Sequence, residues 1–240
     1  MRKTPHPLFA ILLAPCLLLP LAVSADGIVV DKIYHPYVEP LEQELEWRMV
    51  WQDSQPGRDD REQLQRFAYG RAFGERWFGE AYIVTEQSAN SSQEVEAVEL
   101  EVLHQLTEQG EYWADWGMVV ELEKYIGADI WELGTGILAE KELGQWSVTG
   151  NVMVSQEWGS DIDDEVESRL GLQARYRYSP FFEPALEFHS GEDTRALGPA
   201  MMGSIKLGIR RNLRWELGLL FGLDHASPDQ TVRAGVEYEF

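Results

Sequence analysis

The chain has 240 residues, a formal net charge of −21 and a single cysteine. So acidic a chain has no basic patch with which to neutralise phosphates, which argues against nucleic acid as a partner. Past the N-terminus no run of about 18 apolar residues occurs, so no transmembrane helix is available; strands escape that test because their apolar residues are spread one in two.

The first element is a targeting segment. Arg2 and Lys3 supply a positive start, 8–23 is apolar though interrupted by Pro15 and Pro20, and Val23-Ser24-Ala25 fits the small-residue cleavage rule. The expectation is a signal peptide at 1–25 and one domain over 26–240, with a mature charge of −23 once Arg2 and Lys3 are gone. A lipoprotein cysteine should end the apolar stretch, but Cys16 is followed by Leu17, Leu18 and Leu19. The expected mature chain therefore has neither a disulfide framework nor a thiolate site.

Beyond the targeting segment the chain shows period-two alternation almost throughout and no helical period of any length. With turns read from Gly, Pro, Asn, Asp and Ser clusters, strands are predicted at 38–51, 63–73, 76–86, 94–106, 112–126, 129–141, 145–158, 165–178, 181–190, 200–210, 213–224 and 231–240. In the first, Leu45, Trp47, Met49 and Trp51 alternate with Glu44, Glu46, Arg48 and Gln52; His35 precedes it. The second and third alternate poorly, which leaves their facing open. In the seventh, Trp146, Val148, Val152 and Val154 alternate with Ser147, Thr149, Asn151 and Ser155. In the eleventh, Trp215, Leu217, Leu219 and Phe221 alternate with Arg214, Glu216, Gly218 and Gly222.

The connections form two sets. Those after odd strands are mostly long and acidic (52–62, 87–93, 159–164, 191–199, 225–230), those after even strands mostly short, with 126–129 a short exception. Long loops on one rim and short turns on the other, with both chain ends on the short-turn side, are the expected arrangement. Acidic 161–165 lacks the glycine and terminal glutamate spacing of a calcium loop and reads as solvated.

Alternation does not say which face points inward. Export without cysteine, a strand number above the eight of common soluble barrels and tryptophans near strand ends favour an apolar exterior. Trp146 and Trp158 stand twelve residues apart on one face, about 40 Å along a strand and about 30 Å along the normal once tilted, which matches two interfacial girdles. The chain also ends on Val232, Ala234, Val236, Tyr238 and Phe240. This ending resembles the C-terminal signature of bacterial outer-membrane β-barrels. That resemblance implies Tyr238 and Phe240 as an assembly signal, with the barrel-assembly machinery and outer-membrane lipid as partners. The stretch from Pro180 to Phe240 is also similar to transporter-like barrels such as the phenol-degradation MetA-pathway group. The expected fold is all-β: a transmembrane, antiparallel, up-and-down barrel of about twelve strands.

Candidate chemistry is sparse. His189 and Ser190 resemble in part the His-x-Ser motif of an outer-membrane phospholipase, but neighbours in a strand face opposite sides. His35, His104, His189 and His225 are dispersed, so no metal and no cofactor are expected. The polar face is richer. Glu99, Glu101, Glu121, Glu123, Glu132 and Glu140 fall on strands four to six, and Arg169, Arg175, Arg177, Lys206 and Arg210 on strands eight and ten. If that face lines a lumen, it forms either a water-filled constriction with a transverse field or a salt-bridged plug. The expected function is a narrow porin-like channel for small polar or charged solutes. A sealed structural or surface-interaction barrel is the alternative, and a lipid-acting hydrolase a distant one.

Overall fold

The computed structural model describes residues 28–53, 62–88 and 92–240; the expected signal peptide at 1–25, with Cys16, lies outside the described residues. Within them the chain forms twelve strands and no helix: β1 (Gln43–Gln52), β2 (Glu62–Ala72), β3 (Trp77–Ser88), β4 (Glu94–Gln105), β5 (Asp115–Tyr125), β6 (Ile130–Leu143), β7 (Trp146–Gly159), β8 (Glu165–Tyr176), β9 (Glu183–Ser190), β10 (Arg195–Lys206), β11 (Asn212–Gly222) and β12 (Gln230–Glu239). Each pairs antiparallel with its neighbours in sequence. β1 then closes on β12, with Trp47 opposite Val236 and Met49 opposite Ala234. Closure gives each of these twelve strands a neighbour on both sides, the condition a sheet must meet to sit in hydrocarbon.

The facing is that of an inverted barrel. On β7, Ser147, Thr149, Asn151 and Ser155 are buried, while Val148, Val152 and Val154 are 41–57% exposed. Polar groups thus point into the lumen and the apolar set points out, the reverse of a soluble barrel. The poor alternation of β2 and β3 also resolves. Phe67, Tyr69, Trp77 and Ile83 face out, while Ala68, Ala72, Phe78, Tyr82 and Val84 are buried on the inside. The inner face of these strands carries apolar side chains beside Arg66 and Glu80, because part of it packs on protein rather than water.

Two strands depart most from their expected bounds. β1 starts at Gln43 rather than 38, because 38–42 belongs to a lumenal segment described below. β10 starts at Arg195 rather than 200 and ends at Lys206 rather than 210. Gly198 and Pro199 read as breakers, yet both lie inside this strand. Gly198 packs directly on the Leu219 and Leu220 backbone, and Pro199 pairs with Leu186 of β9.

Phe240 extends the seam between β1 and β12 by one bond. The Phe240 N–H donates to the Gln43 carbonyl at 2.8 Å, and its ring stacks on Tyr238 with centroids 5.7 Å apart. Deleting Phe240 should remove about 1–2 kcal/mol of pairing where the barrel closes. The expected outcome, read as the fraction of protein whose gel mobility changes on heating, is a lower folded yield; an unchanged fraction would show that β1 and β12 close without it.

Candidate functional site

Before β1 the chain lies inside the barrel. Residues 28–42 run through the lumen from the long-loop rim to the short-turn rim. Val29 packs on Gly191 after β9, Ile33 on Gly171 in β8, and Pro36 on Gly117 near the start of β5. A side chain on Gly171 would stand 2.6 Å from Ile33 Cδ1, and one on Gly117 3.0 Å from Pro36, so glycine is what admits the segment. At the turn rim the Glu42 N–H donates to Glu39 O at 3.2 Å. Leu41, at φ 70°, reverses the chain there into β1.

An extended segment outside the sheet must still satisfy its backbone groups. Asn151 of β7 does this as a surrogate strand: its Oδ1 accepts from the Tyr34 N–H at 2.7 Å and its Nδ2 donates to the Tyr34 carbonyl at 2.9 Å. Gln105 of β4 accepts from the Val38 N–H at 2.9 Å. Side chains add ionic anchors. Asp31 bridges two guanidiniums, each at 2.9 Å, from Arg48 of β1 and Arg66 of β2. Lys32 reaches Glu46 of β1 at 3.0 Å and Glu80 of β3 at 3.5 Å. The Tyr34 hydroxyl lies 2.7 Å from Glu101 and 2.9 Å from Glu121. His35 Nδ1 is 2.5 Å from Glu140, and Tyr37 donates to Asp115 at 2.8 Å. Tyr34 and Val38 complete one apolar core with inward-facing Ala72, Phe78, Leu103, Val119, Leu138 and Met153, and Val30 packs with Ala196 and Leu220.

The segment divides the lumen. On the loop side a cavity of about 820 Å³ holds Glu99, Glu121, Glu123, Glu132 and Arg169; on the turn side one of about 660 Å³ holds Glu101, Arg175 and Arg177. Among the described residues, twelve carboxylates line the first against Lys32, Arg66 and Arg169. Ten line the second against Lys32, Arg48, Arg175, Arg177 and Arg214. Glu140 is buried beneath the segment, where Ser147 and Thr149 donate to it as well as His35.

The arginines do not form a wall set apart from the acids. β8 is only two strands from β6, so Arg169 lies 3.6 Å from both Glu121 and Glu132. Arg175 lies 3.7 Å from Glu140 and 3.4 Å from Glu183, and Arg177 reaches Glu142 at 2.6 Å. Lys206 and Arg210 need correction. Lys206 ends β10 on the inner parity but is exposed at the rim, and Arg210 is exposed in the turn beyond the strand; neither lines either of these two cavities. The β9–β12 side carries a separate buried cluster. Arg233 binds Glu187 through Nη2 at 2.6 Å and Nε at 3.0 Å, and Glu216 through Nη1 at 2.5 Å. At the loop rim the hydroxyl of Ser160, then the ammonium of Lys124, hold the Asp129 carboxyl below its ordinary value. The Asp129 N–H donates to Asp161 at 2.7 Å, which ties two loops together at that rim.

His189 and Ser190 end β9 as adjacent strand residues, and His189 lines the loop-side cavity.

No family model matches the chain, and no curated protein matches it. Solved structures do. The outer-membrane channel from Pseudomonas putida F1 superposes with a TM-score of 0.53 at 15% identity, covering 88% of this chain and 98% of its own. The fold is that of the bacterial outer-membrane β-barrels. The KdgM porin, solved in complex with disordered oligogalacturonate, gives 0.52 at 14% identity over 82% of this chain and 99% of its own. The β-domain of the Bordetella autotransporter BrkA gives 0.54 at 13% identity over 83% and 100%. Channels and autotransporter domains thus share this fold, and the lumen has to decide between uses.

Proposed function

We propose that this chain is a porin-like channel of the bacterial outer membrane, closed in the state seen here by its own N-terminal segment, and that it favours cationic over anionic small solutes. The observation that carries the reading is the pair of acid-lined cavities, one at each rim, meeting at residues 28–42. Each cavity holds more carboxylates than bases, so the field along the path attracts cations wherever water enters. The likeness to a channel and a porin supports this use of the fold. The interior leaves room for it too: twelve strands enclose more than the filled eight-stranded barrel. No chemical step is part of the reading.

A sealed structural barrel is the second reading. It is favoured by the density of ion pairs on Asp31 and Lys32, which would make the plug permanent.

Reversal potentials of the refolded protein under a salt gradient test the selectivity. At separations near 10 Å and intermediate dielectric such charges act on a passing ion by about 1–2 kcal/mol, enough to bias entry several-fold, and added salt should weaken the bias. Wild type is expected to prefer cations. Glu121→Gln with Glu123→Gln should shift the potential toward anions, and Arg175→Gln with Arg177→Gln further toward cations. An anion preference in wild type, or no shift in either double variant, would contradict the reading.

A further inference from the structure

Lys32 is the one lysine or arginine of the described N-terminal segment, and the wall around its ammonium is built in a way a structural ion pair does not require. Nζ lies 3.0 Å from Glu46 Oε2, 3.5 Å from Glu80 Oε2 and 3.5 Å from the Tyr82 hydroxyl. Glu46, Glu80 and Tyr82 are 6%, 5% and 2% exposed. One oxygen each of Glu44, Glu46 and Glu80 falls within 4.8 Å of the others. Glu80 also keeps Oε1 buried with no hydrogen-bond partner. A buried carboxylate oxygen left unpaired is costly, and here it stands beside a position already occupied by a cation.

Once the segment leaves, Glu80 loses Lys32, while Arg48, freed from Asp31, stays on Glu46. Among the described residues, Arg48, paired with Glu46, is the wall cation within ion-pair reach of these carboxylates. The three acceptors on Lys32, at 3.0 to 3.5 Å, equal in number the three N–H donors of a primary ammonium. A metal ion would need oxygens at about 2.0–2.6 Å.

We propose that the Lys32 ammonium is a tethered stand-in for a solute, and that the pocket of Glu46, Glu80 and Tyr82 binds the primary ammonium group of a small organic cation when the segment is displaced. The inference rests on the channel reading above and names its solute class.

Lys32→Ala removes Cγ, Cδ, Cε and Nζ, the atoms of n-propylammonium. The test is calorimetry on the refolded, detergent-solubilised full-length variant, with n-propylammonium chloride and tetramethylammonium chloride as probes. Tetramethylammonium has the same charge and no N–H donor. The expected result is binding of propylammonium at least about tenfold tighter than tetramethylammonium, with the difference lost on adding Glu80→Gln. Equal affinities, or a difference that survives Glu80→Gln, would overturn the site. If Lys32→Ala does not refold alone, its refolding yield in each salt gives the same answer: rescue by propylammonium only supports the site, and rescue by neither or by both overturns it. Binding in detergent does not depend on conduction. A barrel that binds propylammonium selectively but never conducts keeps the site and refutes the channel; one that conducts without selective binding does the opposite.

Discussion

Arg233→Met is expected to lower the unfolding temperature of the barrel more than any surface change. Arg233 is 2% exposed and its guanidinium spans from β12 to Glu187 on β9, which is fully buried, and to Glu216 on β11. Gln173 donates to the same Glu187 carboxylate at 2.8 Å. Removing the arginine strands a buried carboxylate, which costs about 3–5 kcal/mol. Adding Glu187→Gln removes the stranded charge, so the double variant should lose much less than the two single losses combined. The exposed pair of Arg195 and Asp224, at 3.5 Å on the loop rim, is the control; Arg195→Gln should change stability by less than about 1 kcal/mol. The measurement is the temperature at which the compact gel band is lost. If Arg233→Met keeps the wild-type temperature, water reaches Glu187 and this side of the lumen is not packed.

The second large effect concerns the plug alone. Asp31→Asn keeps the shape of the side chain but removes the shared charge between Arg48 and Arg66. Both guanidiniums, on side chains 5% and 15% exposed, then face a neutral amide, and the docked segment should weaken by about 3 kcal/mol. That is roughly a 100-fold change in the ratio of docked to released segment. Hydrogen exchange reads it directly. The Tyr34 and Val38 amides, held by Asn151 and Gln105, should exchange about 100-fold faster than in wild type, with strand amides such as that of Leu138 unchanged. Equal exchange at Tyr34 and Val38 would mean that apolar packing holds the segment without Asp31.

Most of the barrel is legible in the sequence, because strand geometry writes itself as a period of two. The alternation of β7 and β11 marks two faces, and the contrast between 159–164 and the Gly144-Gln145 turn marks two rims. The plug was not legible, because 28–42 has no period: an extended chain bonded by side-chain amides leaves no repeat, and 38–42 reads as the start of the first strand. His35 was placed before that strand, and its contact with Glu140 has no local signature. A signal did exist. Phe78, Leu103, Val119, Leu138 and Met153 all sit at lumenal positions of otherwise polar faces and are buried. Singly each reads as an exception; together they trace the line along which Tyr34 and Val38 pack. The charges were found by parity but not their pairing. Which glutamate meets Arg169 depends on the stagger of β8 against β6, and a single strand carries no information on stagger.

Single-channel recording from planar bilayers tests the central claim most directly, with the full chain set against a variant lacking residues 28–38. Both proteins are first shown to fold by their heat-dependent gel mobility. The full chain should open only in brief bursts, and the shortened chain should conduct in steady, cation-preferring steps. Silence in both, or the same steady conductance in both, would contradict a lumen closed by its own N-terminal segment.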